Sequence, residues 1–369
     1  MDEKIYQAAN GVKVIYRHKS KKYDFKHVIF VFSGFLNAKP GNYDFLKALT
    51  DCPCDVVWIK DDFEEMYTYY LCIDMNFKIE QAVTEFINYQ VCELGLEHKD
   101  ITVTGFSKGG SAALYYGLKL NIRNIVATVP QLYVGSYVDN HWRHVAEHMM
   151  GKDYAQIHIK YIDNLLIELL KKDEDKDKNL YILTSESDIQ YGKEIEPNLS
   201  EFRKYKNFNL LKSYSLFARQ HNQITGHHTA LLLGIYYSLA SGAVPRFNET
   251  GEVNFFGTQP IALSKPSLVP YIDLRKIEIR DEKLFIDGVG LIRGVNVEEY
   301  KDIDYSLILK GKQEYTLALA KAERPNLTRE LFDGELVVYD KCWFTTLHYK
   351  GLDISHILRG EYELYPLRI

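Results

Sequence analysis

Ile101-Thr-Val-Thr-Gly105-Phe106-Ser107-Lys108-Gly109-Gly110-Ser111-Ala-Ala-Leu114 is the stretch on which the reading of this chain turns. A β-branched strand runs directly into G-x-S-x-G, and a run of small residues follows that suits a helix. That strand–turn–helix setting is what a nucleophilic serine at a sharp elbow requires. Gly105 and Gly109 serve it sterically, because a strained turn needs neighbours without Cβ atoms where strand and helix approach. The Ser107 hydroxyl is then expected above the end of a sheet, beside a helix N-terminus that stabilises developing negative charge. The amide of Lys108 is the first expected oxyanion donor. The second is expected from the turn after the run at 27–32, where Ser33-Gly34-Phe35-Leu36 lets an amide, that of Phe35 beside Gly34, point into the site.

Outward from this motif, strand-like apolar runs recur at 12–16, 27–32, 55–59, 101–104, 125–129, 179–184 and 209–215. Several are continuous in Val, Ile and Leu, as strands buried on both faces are. Between them, 79–94, 110–120, 154–171 and 229–240 place apolar residues at three- and four-residue spacing, the period of a helix. The alternation predicts an α/β domain over 1–245 with a mostly parallel sheet of the α/β-hydrolase type. A long insertion at about 131–175 reads as a lid. After residue 245 the texture changes to short alternating runs, at 276–280, 284–286, 305–309, 315–319 and 335–339, broken by Asp-Gly and Lys-Gly turns. This predicts an all-β, sandwich-like domain over 246–369.

A serine hydroxyl is a weak nucleophile until a base takes its proton, and in this fold the acid and the histidine follow the serine in that order. Ser185-Glu186-Ser187-Asp188 lies at the carboxyl end of the 179–184 strand, where the acid is expected. Asp188 is preferred to Glu186, which sits nearer the strand and faces the sheet. For the base, His221, His227 and His228 compete within Gln220-His-Asn-Gln-Ile-Thr-Gly-His-His228. His221 is expected in a loop, free to turn over the sheet edge, with the other two at the opening of the next helix. No HExxH or matching carboxylate spacing accompanies them, so no metal site is expected.

The insertion supplies Tyr133, Tyr137 and Trp142 as rings that can stack on a sugar, and Arg143, with Lys108, as cations for a phosphate or carboxylate. Packing of the same rings into the insertion's own core is the competing reading.

Composition narrows the classes. A formal net charge of −5 from 45 basic and 50 acidic residues, without a long basic run, argues against nucleic acid. Neither a secretory signal nor an apolar stretch long enough to span a bilayer is visible, so a cytoplasmic protein is expected. Five cysteines without a paired CxxC pattern give no disulfide or zinc framework. The charged run at 171–178 reads as a solvated helix end.

Five motifs in order, Gly105-Phe-Ser-Lys-Gly-Gly-Ser-Ala-Ala-Leu-Tyr-Tyr-Gly-Leu-Lys119, Asn124-Ile-Val-Ala-Thr-Val-Pro-Gln-Leu-Tyr-Val-Gly-Ser-Tyr-Val138, Met150-Gly-Lys-Asp-Tyr154, Tyr181-Ile-Leu-Thr-Ser-Glu-Ser-Asp-Ile-Gln-Tyr191 and the 220–228 segment, resemble a bacterial family. It comprises surface-polysaccharide biosynthesis proteins with an α/β-hydrolase core, including capsule O-acetyltransferases and the glycan O-acetyltransferase of accessory Sec systems. The likeness covers about residues 25–245. It implies a Ser–Asp/Glu–His triad, mapped here onto Ser107, Asp188 and His221, that moves an acetyl group onto or off a sugar hydroxyl. It also implies a glycan or sugar-phosphate acceptor, association with capsule biosynthesis machinery, and no bound cofactor, with acetyl-CoA as a possible acyl donor. The β-rich tail is similar to accessory modules of capsule and teichoic-acid enzymes; its place after the core departs from the accessory Sec proteins and leans the reading to capsule-type glycans. An esterase using the same triad, and a non-catalytic glycan-binding scaffold, are the alternatives.

Overall fold

The computed structural model describes the chain except residues 36–38, 216, 219, 248–250, 254–267, 334–335 and 367–369, and gives the backbone alone for 251–253 and 365–366. It divides into two compact units, Met1–Thr258 and Gln259–Ile369.

The first unit is built on strands β1 (Lys4–Gln7), β2 (Lys13–Lys19), β3 (Val28–Phe32), β4 (Asp55–Ile59), β5 (Ile101–Phe106), β6 (Asn124–Thr128), β7 (Asn179–Thr184), β8 (Asn207–Ser213) and β9 (Gly251–Val253). They lie in the order β1-β2-β4-β3-β5-β6-β7-β8-β9. The first two pairings, β1–β2 and β2–β4, make an antiparallel margin, and every later pairing is parallel. The expected mixed, mainly parallel sheet is therefore present. β1 has no counterpart in the sequence reading, because its Lys-Ile-Tyr-Gln is short, exposed and without a clean period.

Successive residues of a strand face opposite sides of a sheet. Val28, Phe30 and Phe32 enter one apolar cluster with α1 (Lys78–Glu93), α2 (Lys108–Lys119) and α5 (Gln156–Lys172), while Ile29 and Val31 enter a second with α8 (Thr229–Ala240). Both faces of the central strands are thus covered, which explains their continuous rather than alternating hydrophobicity. Burying each of these large side chains contributes roughly 1.5–3 kcal/mol.

The insertion after β6 folds as α3 (Val134–His141), α4 (Arg143–Met150) and α5. α5 buries Ile159, Ile162, Leu166, Ile167 and Leu170 in the same cluster as α2. The carboxyl half of the segment expected as a lid is therefore a packing layer of the sheet. Between β7 and β8 lie a π-turn at Tyr191–Ile195 and α6 (Leu199–Phe202), and between β8 and α8 lies α7 (His221–His227).

The second unit holds β10 (Pro270–Arg280), β11 (Lys283–Ile292), β12 (Ser306–Lys310), β13 (Glu314–Ala318), β14 (Ala320–Ala322), α9 (Leu327–Glu330), β15 (Trp343–Thr345), β16 (Leu352–Asp353) and β17 (Glu363–Pro366). Its strands pair antiparallel in two sheets, β10-β11-β15-β14 with β16 beside β11, and β13-β12-β17. Two sequence expectations are corrected here. Asp287-Gly288 lies inside β11 rather than in a turn, because Gly288 sits where an added Cβ would come within 2.5 Å of both Asp273 O and the Phe344 ring. The hairpin instead turns at Asp281 and Glu282, with φ of 50° and 56°. Of the run at 335–339, residue 335 lies outside the described residues and 336–339 forms no strand.

Among the described residues, no helix is long and apolar enough to cross a membrane.

Candidate active site

Ser107 stands between the end of β5 and the first residue of α2 with φ 54° and ψ −119°, a backbone that L-residues avoid. Two glycines allow it. A Cβ on Gly105 would lie 2.2 Å from the Gly109 backbone, and one on Gly109 would lie 2.1 Å from the Phe32 carbonyl oxygen. β5, α2 and the end of β3 thus meet at a separation that a methyl group would break. The Ser107 amide donates to Thr128 O at 2.9 Å and fixes the elbow to β6.

The structure brings Ser107, His221 and Asp188 into one hydrogen-bonded chain. Ser107 Oγ lies 2.8 Å from His221 Nε2, and His221 Nδ1 lies 2.7 Å from Asp188 Oδ2. Asp188 is buried, and its other oxygen, Oδ1, accepts from the Gln190 amide at 3.0 Å. With Nδ1–H donating to the carboxylate, the neutral imidazole presents an acceptor at Nε2, so the serine proton points toward it.

His221 is not in a loop as expected. It opens α7, whose first turn is held by reciprocal contacts between Gln220 and Gln223. The short helix escaped sequence reading because Gly226 and the paired histidines interrupt any apolar period. His228 sits between α7 and α8, with Nδ1 on Ile224 O at 2.7 Å and Nε2 on Ser213 Oγ at 3.3 Å, and burial lowers its pKa. His227 ends α7. Glu186 pairs with Lys212 at 2.7 Å and is not part of the chain to His221.

Lys108 is the first residue of α2, where the opening amides have no partner within the helix. Its side chain, by contrast, cannot hold a substrate anion as expected. The ammonium is wholly buried against Asp61 at 2.8 Å, with the rings of Tyr67 and Tyr70 at 5.0 and 4.6 Å. Burial holds that amine below its usual pKa, against the pull of Asp61. Asp61 also accepts from the amide and hydroxyl of Thr68 and the amide of Tyr70, so the pair organises the loop after β4.

On the oxyanion side, the Gly34 amide donates to Asp44 Oδ2 at 2.6 Å. The Gly34 amide, beside the Phe35 amide expected as second donor, is thus engaged within the turn. Burial raises the pKa of the Asp44 carboxyl, partly offset by the Gly34 amide and Lys108. The ring of Phe35 stacks on Trp142 with centroids 4.4 Å apart and planes 8° from parallel. One face of Trp142 is thereby closed to a sugar. Tyr137 is half-buried with Trp142 and Gln190 beside it, and burial raises its phenol. Tyr133 accepts from Asn198 Nδ2 at 3.1 Å. Arg143 is engaged by Asp139 at 3.0 Å and Glu147 at 3.3 Å on the exposed face of the insertion, rather than held ready for an anion.

Sequence reading missed Gln131. It is fully buried, and its Nε2 donates to Ser107 Oγ at 2.7 Å and to Gln190 Oε1 at 3.0 Å. Its one sequence signal is position, directly after Pro130 at the carboxyl end of β6, where open α/β sheets bind ligands. A cleft of about 600 Å³ lined by Arg17, Tyr43, Asp44, Phe106, Asn222 and Thr225 borders the residues next to Ser107 and His221. Among the described residues, no group of three or more His, Cys, Asp or Glu is placed to hold a metal ion.

With this geometry in place, the fold can be set beside solved structures. The capsule O-acetyltransferase of Neisseria meningitidis serogroup A superposes with a TM-score of 0.51 at 20% identity, over 62% of this chain and 98% of that one. This chain shares its fold. A histidine mutant of that enzyme in complex with CoA gives 0.52 at 19% identity, over 63% and 94% of the two chains. The glycosylation-associated protein (Gap123) complex of Streptococcus agalactiae gives 0.54 at 15% identity, over 67% of this chain, which spans about half (48%) of the chain it matches. No family model and no curated protein matches the sequence.

Proposed function

We propose that the protein is an O-acetyltransferase acting on sugar hydroxyls of a bacterial capsular or cell-surface glycan through an acyl-enzyme on Ser107. The observation that carries this reading is the continuous chain from Ser107 Oγ through the His221 ring to Asp188, at 2.8 and 2.7 Å. The fold shared with a capsule O-acetyltransferase supports it.

In the first half-reaction Ser107 Oγ attacks the carbonyl carbon of the acetyl donor while its proton passes to His221 Nε2. The tetrahedral oxyanion is held by the Lys108 amide, with the Phe35 amide the second donor. Collapse breaks the bond to the leaving group, which takes the proton from His221. In the second half-reaction His221 removes the proton of a sugar hydroxyl, whose oxygen attacks the acetyl carbon, and Ser107 leaves and is reprotonated. Asp188 keeps the imidazole in the tautomer and orientation both steps need.

Acetyl-CoA is the proposed donor, in keeping with the CoA bound to the mutant of the Neisseria enzyme. A glycan or sugar-phosphate is the proposed acceptor, and α3 and α4, with Tyr133, Tyr137 and Trp142, form the proposed lid. Gln259–Ile369 is proposed to contact the same glycan, and the protein to work in the cytoplasm beside the capsule biosynthesis machinery.

Incubation with acetyl-CoA and surface glycans tests this. Acetylated glycan should appear together with an equal amount of free thiol, and Ser107→Ala should abolish both. Acetate release at the same rate without acceptor would assign an esterase instead. Failure of any activated acetyl ester to leave an adduct on Ser107, read by mass spectrometry, would leave a glycan-binding scaffold.

A further inference from the structure

The bonds around the nucleophile close into a ring that the triad does not account for. Ser107 Oγ reaches His221, His221 reaches Asp188 Oδ2, and Asp188 Oδ1 accepts from the Gln190 amide. Gln190 Oε1 then accepts from Gln131 Nε2, which also donates to Ser107 Oγ. We infer that Gln131 is a fourth member of the machinery, whose amide N–H directs the Ser107 proton to His221 and stabilises the negative charge that gathers on Oγ.

A hydroxyl has one hydrogen and two acceptor sites. With Gln131 Nε2–H occupying one acceptor site, the proton of Ser107 has His221 Nε2 as its acceptor, and the productive rotamer is selected before substrate arrives. When that proton moves, Oγ gains charge in a buried site, where a fixed donor acts far more strongly than water would. The same N–H serves again when Oγ is expelled from the acyl-enzyme.

The placement is rigid. The Gln131 amide donates to Ser111 Oγ at 3.0 Å, and the Leu132 and Tyr133 amides donate to Glu194 Oε2 at 2.7 and 2.9 Å. Its Oε1 faces the Tyr69 hydroxyl at 3.4 Å, so both amide hydrogens are left for Ser107 and Gln190. Gln190 ties this donor to the loop that carries the acid.

The inference rests on Ser107 being the nucleophile, and the test separates the two. A fluorophosphonate is offered to the full-length protein across pH. Ser107 Oγ bonds to phosphorus, the P–F bond breaks, fluoride leaves and the serine proton passes to His221. Gln131→Met should label roughly 10²-fold more slowly than wild type, on the scale of losing one preorganised donor. Gln131→Glu keeps size and shape but puts a carboxylate beside Oγ; it should be at least as slow. Its pH–rate midpoint should move upward by about one unit, because a neighbouring anion favours the imidazolium. A packing role would leave both readouts of the isosteric variant unchanged, so wild-type rate and midpoint in Gln131→Glu overturn the inference, even if Gln131→Met fails to fold. Undiminished labelling of Ser107→Ala would instead overturn the nucleophile, and this inference with it.

Discussion

Asp188 Oδ2 lies 2.7 Å from His221 Nδ1 although 33 residues separate them, because β7 and β8 run parallel and side by side and deliver both side chains at their carboxyl ends. Asp188→Asn keeps the shape but presents an amide that favours the wrong imidazole tautomer. Burst kinetics with p-nitrophenyl acetate should fall by about 10⁴-fold, the scale observed when a triad acid is so replaced. Glu186→Gln, which breaks only the pair with Lys212, should retain its burst. The reverse ranking would move the acid to Glu186.

The elbow depends on absent Cβ atoms, and this has an energetic signature. Gly109→Ala sets a methyl 2.1 Å from Phe32 O, where backbone must shift, and urea unfolding should show a loss of roughly 3 kcal/mol, the upper range for overpacking. Gly234→Ala, within α8 and with no atom within 4 Å of the new Cβ, should instead gain up to about 1 kcal/mol from helix propensity. Equal effects of the two would show that the elbow is not tightly packed.

Lys108 and Asp61 pair with both side chains wholly buried. Removing one charge strands the other, so Asp61→Asn should cost about 3–5 kcal/mol by chemical denaturation. Adding Lys108→Met should recover part of that loss, since an apolar replacement removes the uncompensated charge. A double variant no more stable than Asp61→Asn would show that Asp61 acts through Thr68 and Tyr70 instead.

What sequence could disclose here follows from the range of each interaction. The elbow is local: Gly105, Ser107 and Gly109 lie within five positions, and strand and helix signals flank them. That Asp188 and His221 lie together was legible because both follow the carboxyl ends of adjacent parallel strands. Gln131 was not, since a lone glutamine has no spacing to betray it and its partners Ser107 and Gln190 are distant in sequence. The Lys108 side chain misled for a related reason. A lysine beside a nucleophile suggests an anion site, and its burial is decided by Asp61, which is 47 positions away. The Asp287-Gly288 pair misled because the tight approach of Phe344 and a hairpin turn both demand glycine.

His27 offers a test of pH dependence that leaves the candidate site alone. It caps the start of β3 in the interior, with Nε2 2.8 Å from Thr102 Oγ1, and burial lowers its pKa from 6.5 to about 4. The folded ring is therefore neutral between those values, while the unfolded ring binds a proton. The unfolded state holds more protons, so stability falls as pH drops through this window. Two and a half units correspond to about 3 kcal/mol. His27→Gln keeps a polar group for Thr102 but does not titrate. Its urea midpoint should decline less steeply from pH 6.5 to 4 than wild type, whatever its absolute stability, while the same-sign contribution of buried His228 remains in both proteins. Parallel declines would mean that His27 can take up its proton without leaving the folded state.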